Sequence, residues 1–79
     1  MQPTYSDAYN KRGRAYALKG NYDRAIADYN KAIELQPNNS NAYTNRGGAY
    51  AHKGDYDRAI ADFDKAITLQ ADNAYAYTS

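Results

Sequence analysis

The sequence holds no cysteine, so neither a disulfide framework nor a thiolate metal site can staple the fold. Its single histidine, His52, stands without the companions that a zinc site or a nucleophile and base pair would need. An excess of one charge is also missing: ten basic side chains face nine acidic ones, for a formal net charge of +1. Proteins that neutralise several phosphates carry a basic surplus, so neither nucleic acid nor an anionic membrane is expected as a partner. The one small basic cluster, Lys11-Arg12-Gly13-Arg14, is offset by Asp7 and by the acidic residues that follow it. The N-terminus lacks the charged and apolar stretches of a leader, and no apolar run approaches the length of a bilayer span. On these grounds a soluble, cytoplasmic chain is expected. Gly47-Gly48 is not followed by the residues of a phosphate-binding loop. A chain of 79 residues makes one small domain, near the size at which a single core leaves about 3–5 kcal/mol of net stability. A deep enclosed active site does not fit that size. No catalytic residue, metal or cofactor is assigned, and the chain reads as a protein that is not an enzyme.

What is present is repetition. Residues 6–39 and 40–73 align without a gap and are identical at 23 of 34 positions. A fixed period of this length marks a stacked repeat protein, in which each unit completes its core against its neighbour. Ten tyrosines accompany one phenylalanine and no tryptophan. Most of them fall at equivalent places in the two repeats, which argues for packing rather than ligand chemistry.

Within the first repeat, Ala8, Tyr9, Ala15, Tyr16 and Ala17 recur at helical spacing. Gly20-Asn21 breaks the pattern, and Asn21 is expected to cap a second helix carrying Ala25, Ile26, Tyr29, Ala32 and Ile33. Pro37-Asn38-Asn39 ends that helix, because proline cannot continue the hydrogen-bond ladder. The second repeat follows suit, with Gly54-Asp55 in the middle and a turn expected at Ala71-Asp72-Asn73. Gly13, Ala25 and Ala32, with Gly47, Ala59 and Ala66, are small where two antiparallel helices must approach closely. Residues 74–79 repeat the opening pattern, Ala76-Tyr77-Thr78 matching Ala42-Tyr43-Thr44. The expected organisation is therefore one domain over residues 1–79, with repeat 1 at about 6–39, repeat 2 at about 40–73 and the start of a third at 74–79. The aspartates at 55, 57, 62 and 64 do not form a metal site, since Asp62 and Asp64 are separated by about 200° around a helix. Capping by Asp55, the helix dipole at Asp57 and the spacing of four between Arg58 and Asp62 explain them instead, as they do for Asp23, Arg24 and Asp28.

With these residues in hand, the chain resembles the tetratricopeptide repeat family. The resemblance rests on Gly13, Tyr16, Gly20, Tyr22, Ala25, Tyr29, Ala32 and Pro37, and on Gly47, Tyr50, Gly54, Tyr56, Ala59, Phe63 and Ala66. Tyr9 and Tyr43 stand where the family pattern has tryptophan or another aromatic, and Ala71 stands where Pro37 predicts proline. Arg12 and Arg46 occupy a place where many members carry leucine, and they are expected to pair with Asp28 and Asp62. The resemblance implies an all-α fold, a right-handed superhelical stack of antiparallel helical hairpins with two full repeats and a partial third. It also implies a non-catalytic protein-interaction scaffold whose concave groove, lined by the first helix of each repeat, binds a peptide or a partner's helix.

The groove candidates are Asn10, Lys11, Arg14, Asn41, Thr44, Asn45 and His52, with Asp7, Leu18, Gly48, Tyr75, Thr78 and Ser79 beside them. Asparagine amides both donate to and accept from a peptide backbone, and Arg14 adds a carboxylate contact. One subclass of the family clamps the C-terminal carboxylate of chaperone tails. Of its matching places only Asn45 fits here, while Asn10, Arg14, Tyr75 and Ser79 do not, so that ligand is not expected. The alternative reading is a self-associating structural module, stacking end to end or exchanging helices between chains, taken from a longer or engineered array.

Overall fold

Four helices follow one another: α1 (Pro3–Leu18), α2 (Tyr22–Leu35), α3 (Ser40–His52) and α4 (Tyr56–Thr78). The computed structural model describes the backbone of residues 3–78 and the side chains of residues 5–70. α1 packs on α2 and α3 on α4, making two hairpins, and α2 packs on α3 to join them. The protein is an all-α stack of helical repeats.

Each hairpin turns on a glycine. Gly20 and Gly54 sit at φ of 86° and 88°, the left-handed region that a residue without Cβ enters freely. The amide of Asn21 then donates to the carbonyl of Tyr16 and that of Asp55 to Tyr50, both at 2.9 Å. This six-to-one bond closes the last turn of the preceding helix and satisfies a carbonyl that the helix leaves open. Asn21 therefore acts through its backbone: its side chain makes no cap bond on α2. At the corresponding place Asp55 does cap α4, accepting from the amide of Arg58 at 3.4 Å. Between the repeats Asn39 is the cap, its Oδ1 accepting from the amide of Ala42 at 3.1 Å. Its Nδ2 donates at 3.0 Å to the hydroxyl of the buried Ser6, which donates at 2.9 Å to the carbonyl of Ala32. The inter-repeat turn is thereby tied to α1.

The core is built mainly from alanine. Ala25, Ala32, Ala42, Ala49, Ala59 and Ala66 are buried, and Tyr29 is the large buried side chain, packed with Ala25 and Ala49. Small residues let the helices approach closely: a Cβ placed on Gly13 would meet the Tyr29 ring at 2.6 Å and the Ala25 carbonyl at 3.1 Å. The tyrosines on α1 and α3 serve a second purpose. The Arg12 guanidinium lies over the rings of Tyr9 (5.5 Å) and Tyr16 (6.0 Å), and Arg46 over Tyr43 (5.4 Å) and Tyr50 (5.9 Å). Such cation–π contacts fix the arginine heads at the helix surface.

Those heads reach the buried carboxylates of α2 and α4. Arg12 donates through Nε and Nη2 to Asp28, and Arg46 does the same to Asp62, all four bonds at 2.8 Å. The expected Arg–Asp pairing is therefore made, in fork-to-fork geometry. It displaces the local pairing that a spacing of four suggested: Asp28 and Asp62 turn inward, Arg58 lies 3.4 Å from Asp55, and Arg24 lies 5.7 Å from the Tyr16 ring. A buried carboxylate needs a partner more than an exposed one does, so the long-range bond prevails.

The second hairpin departs from the expected boundaries. α2 ends at Leu35, before Gln36-Pro37, but α4 runs through the turn expected at Ala71-Asp72-Asn73 and on to Thr78. The start of a third repeat expected at 74–79 is thus a continuation of α4 as far as the described backbone goes. The physical cause is Ala71. Alanine is the best helix former and leaves the ladder intact, where Pro37 interrupts it.

Candidate functional site: the cleft between α1 and α3

α1 and α3 are the first helices of their hairpins, so equivalent side chains project along the cleft between them. Asp7, Asn10, Lys11, Arg14, Asn41, Thr44 and Asn45 line a cavity of about 410 Å³. A second cavity, of about 210 Å³, shares Arg14, Thr44 and Asn45 with it and continues past Gly48 to Leu18, Tyr22 and His52. Six of the seven candidate residues thus border the first cavity, and His52 borders the second. The cleft has a polar, cationic end and a more apolar end.

The candidates are not equivalent in freedom. Asn10 is buried, and its Oδ1 accepts from Nδ2 of Asn45 at 2.9 Å. This pair is a cross-brace between α1 and α3 as well as a lining of the cleft. Lys11, Arg14 and Asn41 are exposed. Thr44 is exposed too, although its hydroxyl donates to the carbonyl of Ser40 at 3.1 Å. His52 is held in place by Tyr22, the two rings stacked at 5.1 Å with 6° between their planes. The side chains of Tyr75, Thr78 and Ser79 lie outside the described residues. Leu18, placed beside the groove candidates from the sequence, borders the second cavity, and Tyr22 is the residue of this surface that the sequence did not single out for the groove.

Tyr29 forms the floor of the second cavity. Burial pushes its phenol pKa up, with the positive charge of Arg14 pulling the other way. A group whose folded pKa is raised contributes stability below its unfolded pKa, about 10, and loses it as pH rises through the folded value. The melting temperature is therefore expected to fall as pH rises from about 10 upward, and Tyr29→Phe is expected to reduce that fall. Phe63 holds the equivalent position in the second repeat, so the substitution suits the fold. Melts of both proteins across this range provide the check; equal falls would remove Tyr29 as a cause.

Among the described residues no group of three or more His, Asp or Glu side chains converges where a metal ion could be held. No described helix is long and apolar enough to cross a membrane.

Comparison with known proteins bears on the fold. A family model described as tetratricopeptide repeat matches residues 1–40 and 10–75. Thirty-five chains of solved structures match. One, described as the crystal structure of MamA, is 39% identical, with a TM-score of 0.86 over 90% of this chain. A second, described as the crystal structure of MamA protein, is also 39% identical over 90% of this chain, with a TM-score of 0.81. This chain spans only 42% and 39% of those two proteins. No curated protein matches it significantly.

Proposed function

The chain belongs to the tetratricopeptide repeat family, and on that premise we propose that the cleft between α1 and α3 binds a short extended peptide. Repeats of this family generally mediate protein–protein interaction as non-catalytic scaffolds, and the proposal gives this member the same role without chemistry of its own. The observation that carries it is the continuity of the two cavities through Arg14, Thr44 and Asn45. An extended ligand needs backbone partners along its length, and Asn41 and Asn45 supply amides that donate and accept. Lys11 and Arg14 outnumber Asp7 at the polar end, which favours an acidic side chain or a terminal carboxylate there. Leu18, Ala17 and the stacked Tyr22 and His52 favour an apolar side chain at the other end. The ligand class is a peptide that carries an acidic residue and, further along, an apolar one.

A displayed peptide library, followed by fluorescence anisotropy on the selected sequences, tests this reading. Acidic-and-apolar peptides are expected to emerge. Arg14→Glu is expected to weaken them at least about tenfold, the loss of a charge-assisted contact. Asn41→Ala is the milder variant, and neither change should shift the melt. Asn45→Ala is a poor control, because it also strips the buried Asn10 of its partner. Selection of no peptide, or binding indifferent to Arg14→Glu, would overturn the proposal.

A further inference from the structure

Because the two repeats are alike, the contact between them can be transposed by one period, and the transposed residues are the large apolar side chains left bare. In the internal contact α2 presents Tyr22, Ile26 and Tyr29 to α3, and Ala49 packs into the same cluster. One period later, α4 presents Tyr56, Ile60, Phe63 and Ile67, all exposed. The contrast is sharpest at the third position, where Tyr29 is 1% exposed and Phe63 36%. One period earlier, Ala8 and Ala15 on α1 are exposed, whereas their equivalents Ala42 and Ala49 are buried against α2. Among the described residues the chain thus exposes the equivalents of both halves of its internal interface.

The polar contacts transpose with equal consistency. Across the internal contact, Nη1 of Arg46 donates to Asn30 at 2.7 Å and Lys53 is paired with Asp23. The transposed pairs are Arg12 with Asp64 and Lys19 with Asp57. Both join opposite charges, and the first replaces a neutral acceptor by a carboxylate. Arg12 is prepared for it: Nε and Nη2 are taken by Asp28, as in Arg46. Its side chain is nevertheless 60% exposed against 21% for Arg46, which α2 covers. Leu18, in the place of His52, would lie on Tyr56 as His52 lies on Tyr22.

We propose that this chain assembles head to tail, the α1 face of one copy docking on the α4 face of the next by the contact that joins its own repeats. The occupant of the α4 face is thus a second copy of this chain. Such an interface is heterologous, so it does not close at two copies and extends into an open series. The cleft between α1 and α3 would run on from α3 of one copy to α1 of the next.

Ala15→Glu and Ile60→Glu each block one face at a site exposed in the single copy, so each variant should keep the parent's helicity by circular dichroism. Light scattering over a concentration series is expected to show the parent growing past a dimer, both variants monomeric when alone, and their equimolar mixture forming a dimer that grows no further. A parent that stays monomeric throughout would overturn the proposal and leave the α4 face to a different partner. A dimer formed by Ala15→Glu alone would also overturn it, by showing a symmetric contact between α4 faces.

Discussion

Replacing Arg46 by leucine is expected to lower stability by about 3 kcal/mol, enough to leave a domain of this size close to unfolded at room temperature. Both oxygens of the Asp62 carboxylate are taken by Nε and Nη2 of Arg46. Asp62 is buried, so the variant strands a charge with neither water nor a partner. The expected loss sits at the low end of the range for broken buried pairs, since the Arg46 side chain keeps some contact with solvent. The bond to Asn30 and the contacts with the rings of Tyr43 and Tyr50 go with it. Removing both partners is different. In Arg46→Leu/Asp62→Leu no charge is stranded, and the double variant is expected to be more stable than Arg46→Leu alone. Urea titrations of the parent and the three variants, including Asp62→Leu, measure the coupling. A single variant that unfolds with the parent would show that the pair contributes nothing. Arg12→Leu is expected to cost less, because Arg12 is far more exposed and water can reach Asp28 once the guanidinium is gone.

Gly13→Ala is expected to destabilise by about 2 kcal/mol, against the usual gain from putting alanine in a helix. The added methyl would lie 2.6 Å and 2.9 Å from two carbons of the Tyr29 ring, with the Ala25 carbonyl at 3.1 Å behind them. That ring is fully enclosed and a carbonyl in a helix cannot retreat, so the helices must separate. The equivalent Gly47→Ala meets Phe63 at 2.9 Å, but that ring is partly exposed and can swing away, so its cost is smaller. Gly48 is the internal control. It is helical and has open space where a Cβ would go, so Gly48→Ala is expected to stabilise by about 0.5–1 kcal/mol. Each kcal/mol moves the melting temperature by about 4–8 °C in a domain of this size, so thermal melts separate the three. A Gly13→Ala protein that melts higher than the parent would deny the close approach of α1 and α2.

The period of the chain made the repeat architecture legible, because helical spacing, hairpin glycines and the inter-repeat proline all agree. Where one of these signals was missing, the reading failed. Ala71 continues α4, while Asp72 and Asn73 on their own had suggested a turn. Asn21 has the composition of a cap but does not use its side chain, since the glycine-closed turn before it holds the backbone already. Asp28 and Asp62 offered two partners each, one local and one sixteen residues away. Their burial decided between these, and a sequence does not print burial. The same applies to the cleft. Spacing along α1 and α3 selected residues that border it, but it did not reveal that Asn10 and Asn45 bond to each other or that Tyr22 orients His52.

The claim that the cleft between α1 and α3 is the binding surface is tested most directly by amide NMR. Spectra of the isotopically labelled chain would be recorded with a selected acidic-and-apolar peptide, at a concentration where the chain is monomeric. The largest shift changes are expected along Asn10–Arg14 and Asn41–Asn45, with smaller ones toward His52. Changes confined to α4, around Ile60, Phe63 and Ile67, would place the ligand on the opposite surface and contradict the claim.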